Sequence, residues 1–147
     1  MDDETIFRKN RDDLIRYATV LVGPTQAEDV VSTVVLRILA RRRLQDLEEP
    51  RPYLFRSVLN ECKTRLSRRR THLSISEVGM MPVNDPEPDI MRAVVELPPQ
   101  QRAATYLVYW AGMTVVETAD LMGIRSGTVK RYLHLARRTL KGTLDEQ

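Results

Sequence analysis

One cysteine and two histidines in a chain of 147 residues leave little material for thiol or metal chemistry. Cys62 has no partner for an intramolecular disulfide, and with only His72 and His134 beside it no zinc set forms at usable spacing. Aromatic residues make up 5%, glycines number 6, and no run alternates apolar and polar residues with period two, so a β-sheet has little support. No apolar run approaches membrane-spanning length, and the opening MDDETIFRKN is acidic where an export signal is basic. Paired carboxylates are missing as well: Asp12-Asp13 and Glu48-Glu49 are adjacent pairs, which on a helix point different ways. There is no Ser-His-Asp set and no glycine-rich phosphate loop. The expectation is a cytoplasmic, non-enzymatic protein in a reducing setting, without cofactor, metal or membrane insertion.

What is present is helical periodicity and segregated charge. With 42% hydrophobic and 29% charged residues the chain belongs with globular proteins, and its length suits one ordinary domain or two small ones. The formal charge is only +3, but its distribution is uneven. Arg41, Arg42 and Arg43 form one basic cluster; Lys63, Arg65, Arg68, Arg69 and Arg70 form a second; Arg125 to Lys141 holds a third. Acidic residues gather at Asp2 to Glu4, at Asp46, Glu48 and Glu49, and from Glu77 to Asp89. Separate basic surfaces suit separate phosphate tracts.

Along the chain, a first helix is expected from near Thr5 to Val22, with Phe7, Leu14, Ala18 and Leu21 inward and Gly23-Pro24 as its stop. Thr25 and Glu28 form a capping box for a second helix reaching about Arg43. Its Ala27, Val31, Val34 and Ile38 repeat at helical spacing, while Val30, Val35 and Leu39 broaden the apolar face. After a loop from Gln45, Pro52 can open a third helix with Phe55, Val58, Leu59, Cys62 and Leu66 inward. From 71 to 89 periodicity fails and Pro82, Pro86 and Pro88 intervene among acidic residues, the composition of a flexible linker. A short helix around Ile90 to Glu96 and another from Gln100 to Ala111 follow, the latter stopped by Gly112. The fold expected is all-α: two small helical bundles, 1–70 and 90–147, joined by the linker 71–89.

The stretch Thr114 to Leu140 carries the strongest local signal. Thr114 with Glu117 makes a capping box, Gly123 can take the positive φ of a tight turn, and Ser126 is a good N-cap for a second helix. Ala119 is small where the two helices would cross, and Val129, Leu133, Ala136 and Leu140 form a buried stripe. Lys130, Arg131, His134, Arg137 and Arg138 are left on or beside the exposed side. A helix-turn-helix with a basic second helix is the layout that presents side chains to the DNA major groove. An ordinary solvated charged helix is the competing reading.

Several segments then resemble one family. Leu97-Pro98-Pro99-Gln100-Gln101-Arg102 resembles the LPPxxR opening of domain four of the extracytoplasmic function (ECF) sigma factors of bacterial RNA polymerase. Gly123-Ile124, Gly127-Thr128-Val129-Lys130 and Ala136-Arg137-Arg138 resemble that domain's GIxxGTVKxxxxxARR ending. Upstream, Ala27-Glu28-Asp29-Val30-Val31 resembles the AEDxV of domain two, and Tyr53-Leu54-Phe55-Arg56 to Asn60 its WLYRIxxN segment. Ser32 to Val35 depart from the family's usual Gln-Glu-Thr-Phe, Tyr53 replaces Trp, Thr118 stands where isoleucine is common, and Leu135 makes the reading face less polar.

The resemblance implies a protein that binds core polymerase, through the β′ clamp helices and the β flap, and directs it to promoter DNA. By matching positions, Asp29, Val30, Thr33 and Arg37 would contact the polymerase. Tyr53, Phe55, Arg56, Asn60 and Lys63 would hold and help melt the −10 strand, by stacking and by hydrogen bonds to base edges. Arg125, Ser126, Thr128, Lys130, Arg131, His134, Arg137 and Arg138 would engage the −35 element. An anti-sigma partner is a further family expectation. Two rivals stay open: a stand-alone dimeric helix-turn-helix regulator, and an adaptor in which Lys130 and Arg131 are dispensable.

Overall fold

In the computed structural model, which describes residues 1–69 and 88–145, the chain is carried by α-helices, with no strand among the described residues. It divides into two compact units, Met1–Thr71 and His72–Gln147. Most of the segment expected as a linker lies outside the described residues; its last two residues, 88 and 89, belong instead to a helix.

The N-terminal unit packs three helices, α1 (Asp3–Val22), α2 (Pro24–Leu39) and α3 (Pro50–Arg69), each against the other two. Asp2 caps α1 by accepting a hydrogen bond from the Thr5 amide at 2.8 Å. That sets its start two residues earlier than expected and turns Ile6, rather than the half-buried Phe7, into the core. Gly23 ends α1 with φ 93° and ψ 162°, a conformation that strains any residue with a Cβ. Pro24 then starts α2, its missing N–H costing nothing in the first turn. The expected Thr25 cap therefore does not form: the helix is already under way at Thr25, and no side chain caps it.

The α2 helix also stops sooner than expected, at Leu39, and Arg43 lies beyond it. Leu39 is 41% exposed rather than part of the core. A 3-10 turn, Leu44–Asp46, buries Leu44 completely and packs on α1, and Asp3 accepts from the Gln45 amide at 3.0 Å. Pro50, not Pro52, opens α3. The core joins Leu14, Tyr17 and Leu21 of α1, the valines of α2, and Leu54, Phe55, Val58 and Cys62 of α3. Tyr17 and Phe55 meet with ring centroids 5.2 Å apart, tilted by 44°. Such a pair is worth about 0.5–1.5 kcal/mol beyond the area it buries.

In the C-terminal unit α4 (Pro88–Val95), α5 (Pro99–Tyr109) and α6 (Val115–Met122) all pack on the long α7 (Ser126–Asp145). Both arms of the Thr114–Glu117 capping box form, at 3.0 and 3.1 Å. Gly123 takes φ 69° and ψ 33°, the left-handed conformation that turns the chain between α6 and α7. Ser126 is the first residue of α7 rather than its cap: the Arg125 carbonyl accepts the first helical bonds, from the Thr128 and Val129 amides. Val129, Leu133 and Ala136 are buried, and Leu140 is half-buried.

Thr118 is fully buried in α6, and its Oγ1 finds no partner among the described residues. A stranded hydroxyl costs about 1–3 kcal/mol, and valine has nearly the same shape without it. Thr118→Val should therefore raise the melting temperature of the C-terminal unit, by roughly 1 kcal/mol of added stability in a denaturant titration. A variant less stable than the parent would mean that the hydroxyl does have a partner.

Candidate nucleic-acid interface

Helical phase sorts the candidate residues of α7. Lys130, His134 and Arg137 recur at steps of four and three, as do Arg131, His134 and Arg138, and all five are exposed. Arg125 is exposed at the turn, while Ser126 and Thr128 are half-buried. The buried stripe of Val129, Leu133 and Ala136 occupies the opposite side, so the cations cannot turn inward without emptying the core. Arg137 stands at the border of the two sides, where its Nε donates to the Tyr109 hydroxyl of α5 at 2.8 Å.

On α3, Tyr53, Arg56, Asn60 and Lys63 follow one another by three, four and three residues and share one face. Arg56 and Asn60 are exposed; Tyr53 and Lys63 are half-buried. The guanidinium of Arg42, from the segment after α2, lies 5.3 Å from the Tyr53 ring centroid. Arg42 of the basic cluster is thus brought beside the α3 face, a juxtaposition that needs the tertiary fold. Phe55 is on another side of the helix and is fully buried, against Tyr17 and under the Arg51 guanidinium at 4.8 Å. It cannot offer a ring face to a base, and its expected role in holding a DNA strand is corrected to a core residue.

The α2 candidates divide in the same way. Asp29, Thr33 and Arg37, four residues apart, line one side of the helix, with Asp29 and Arg37 exposed. Val30 is fully buried and is a core residue rather than a contact residue, because it sits a quarter turn further round, where α2 meets the rest of the bundle. Leu36, which sequence reasoning did not single out, is 70% exposed on the outer face, close to the exposed Leu39. The valine-rich composition of α2 masked them, since an apolar residue among valines reads as core.

A polar network joins this side of α2 to α3. Arg65 reaches Asp29 at 2.8 Å, Glu61 at 2.8 Å, Gln26 at 3.1 Å and Thr33 at 3.4 Å, and Arg37 reaches the other oxygen of Glu61 at 3.2 Å. Glu61 is buried and Arg65 nearly so. Burial alone would raise the Glu61 pKa, but hydrogen bonds from Arg65 and Arg37 and their charges outweigh it, and the carboxyl is held below its usual value. Arg65 is also disfavoured as a cation by burial, yet its bonds to Glu61 and Asp29 raise its pKa. Gln26, Glu61, Arg65 and Arg68 line a shallow pocket of about 270 Å³ beside the network. Glu61 and Arg65 are an i,i+4 pair within α3, whereas Arg37 and Asp29 join them from α2 across the helix interface.

Two helical units, one bearing a capped helix-turn-helix with a cationic outer face, place the chain in the all-α class with a layout suited to duplex DNA. Among the described residues no helix is long and apolar enough to cross a membrane.

The family model for Sigma-70 region 2 matches residues 6–72, and that for Sigma-70 region 4 matches residues 88–140. The chain is 30% identical to the RNA polymerase sigma-E factor of Streptomyces avermitilis over 165 residues, covering 100% of this chain and 87% of that protein. It is 32% identical to the ECF RNA polymerase sigma factor SigL of Mycobacterium tuberculosis, over 90% of this chain and 83% of that one. In fold it is similar to the sigma factor RpoE of Bartonella quintana, solved in complex with the anti-sigma factor NepR, with a TM-score of 0.79 at 22% identity, covering 97% of this chain and 96% of that one. The protein belongs to the sigma-70 family, as a sigma factor of the extracytoplasmic function type.

Proposed function

We propose that this sigma factor binds core RNA polymerase through the outer side of α2 and directs it to promoters, α7 reading the −35 element and the α3 face holding the opened −10 strand. The observation that carries the reading is the one-sided cationic surface of α7, with Lys130, Arg131, His134, Arg137 and Arg138 all exposed on a helix whose opposite stripe is buried. On α2, Asp29, Thr33 and Arg37 flank the exposed Leu36, a mixture of charge and apolar surface suited to a protein partner. The β′ clamp helices are the partner for this side, and the β flap for the C-terminal unit. The same exposed surfaces need masking when the factor is idle, for which an anti-sigma partner is the natural agent. An enzymatic role is not part of this reading, and the cytoplasm is its setting.

Run-off transcription with core polymerase, followed by mapping of the initiated promoters, tests the whole reading. Within it, Lys130→Ala and Arg131→Ala should each weaken binding to the −35 element by about 1–3 kcal/mol and relax sequence preference, whereas Arg138→Ala should mainly reduce the salt dependence. Equal loss on every sequence would show that Lys130 and Arg131 touch phosphates only.

Asn60→Ala should leave −35 binding unchanged and impair promoter opening, because an exposed amide on the α3 face can hydrogen-bond an unpaired base edge. Permanganate footprinting of unpaired thymines measures it; a normal footprint would take Asn60 out of the melting machinery.

A further inference from the structure

The contact between Tyr109 and Arg137 points to a phosphate-binding pair in which Tyr109, a residue of α5 outside the helix-turn-helix, takes part in DNA binding. We infer that the Tyr109 hydroxyl and the Arg137 guanidinium together grip one backbone phosphate of the duplex that α7 engages. The inference rests on the DNA-binding role proposed above for α7 and extends it to a residue that no motif marks.

The chemistry follows from who donates. Arg137 Nε donates to the Tyr109 oxygen at 2.8 Å, and the guanidinium carbon lies 5.9 Å from the ring centroid. A phenol that accepts through its oxygen keeps its own proton, and with Tyr109 51% exposed that proton is available to an incoming acceptor. Arg137 spends Nε on the tyrosine and makes no other hydrogen bond or ion pair among the described residues, which leaves its two terminal nitrogens to donate outward. The pair thus presents neighbouring donors and one positive charge, the combination that a phosphate accepts.

Position supports the assignment. Arg137 follows Lys130 by about two helical turns and so lies on the cationic side, but toward its border with α5. A free arginine there would sample many rotamers. Held by Tyr109, it is ordered before DNA arrives, so less freedom is lost on binding. The ring is itself fixed, packing edge-on against Trp110 with centroids 6.5 Å apart, while Trp110 stacks on Tyr106 at 6.0 Å. Phosphate contacts of this kind set orientation and affinity and carry no sequence information.

The test is a double-mutant cycle on the full chain, titrated against a fluorescently labelled mixed-sequence duplex at several salt concentrations. Arg137→Ala should reduce the slope of log K against log salt by about 0.9. Tyr109→Phe keeps the ring and its packing and removes only the hydroxyl; it should weaken binding by roughly three- to tenfold. Adding Tyr109→Phe to Arg137→Ala should cost clearly less than Tyr109→Phe does alone, because each group orders the other for the phosphate. Wild-type affinity in Tyr109→Phe, or the same loss in both backgrounds, overturns the pair while leaving the DNA-binding role of α7 intact. Absence of any salt-dependent binding by the unaltered chain overturns that role and the pair with it.

Discussion

Replacing Val129 by aspartate should unfold the C-terminal unit and leave the N-terminal one standing. Val129 is fully buried near the start of α7, the helix on which α4, α5 and α6 all pack. An unpaired carboxylate there must either be buried uncompensated or drag the start of α7 into water, at a cost of about 4 kcal/mol or more. A helical unit of this size has on the order of 3–9 kcal/mol in total, so the loss is comparable to the whole. Amide hydrogen exchange reads the two units separately: protection should vanish across α5 to α7 and persist across α1 to α3. Val129→Ala, which removes volume without adding charge, should cost only about 2 kcal/mol and retain the fold. If Val129→Asp strips protection from both units at once, they do not fold independently and the two-unit account is wrong.

The second large effect is expected at Glu61. Its carboxylate is buried between Arg65 and Arg37, and Arg65 is nearly buried too. Glu61→Ala removes the group that offsets the desolvation of Arg65, leaving that cation to Asp29, Gln26 and Thr33. Breaking one partner out of a buried ion pair costs about 3–5 kcal/mol; with Asp29 still at 2.8 Å the lower end, about 3 kcal/mol, is expected for the N-terminal unit. Urea titration followed by the exchange of α2 and α3 amides measures it. A change under about 1 kcal/mol would show the network to be solvated ornament rather than structure.

The same carboxylate makes a pH prediction. Because the folded pKa of Glu61 lies below its usual value of 4.5, the folded state binds its proton less readily than the unfolded chain does. Its contribution to stability is complete above that usual value and is lost as the pH falls through the lowered one. Glu61→Gln keeps one acceptor and most of the volume but removes the titration, so it should flatten this part of the acid limb. An unchanged acid limb would assign the pH dependence to other carboxylates.

How far the sequence could be read differs between the units, for a reason that lies in the distance over which each contact acts. The Thr114–Glu117 box, the left-handed Gly123 and the stripe of Val129, Leu133 and Ala136 are set by residues within a turn or two of one another, and each forms as the spacing requires. The Thr25 cap failed because a competing local rule won: Pro24 at the first helical position started the helix before Thr25 could cap it. Ser126 was off by one residue for a similar reason, the Arg125 carbonyl having taken the cap position.

Side-chain roles on α2 and α3 were less legible. Periodicity placed Phe55 and Val30 at helical positions that could be either core or contact, and burial decided for core. Leu36 was hidden by the valines around it, and Glu61 by the lack of any sign in the sequence that Arg37 would face it across two helices.

From composition and spacing alone came the all-helical class, the helix-turn-helix with its turn glycine, the cationic side of α7 and the family motifs, because helical phase, caps and turns are short-range properties of neighbouring residues. Packing assigned the rest: which apolar residues face outward, where Arg42 meets Tyr53, how Arg65 gathers Asp29 and Thr33, how Arg37 reaches Glu61, and that Tyr109 holds Arg137. Those contacts join residues far apart in the chain, and their geometry depends on the angle and register at which whole helices cross, which no local pattern encodes.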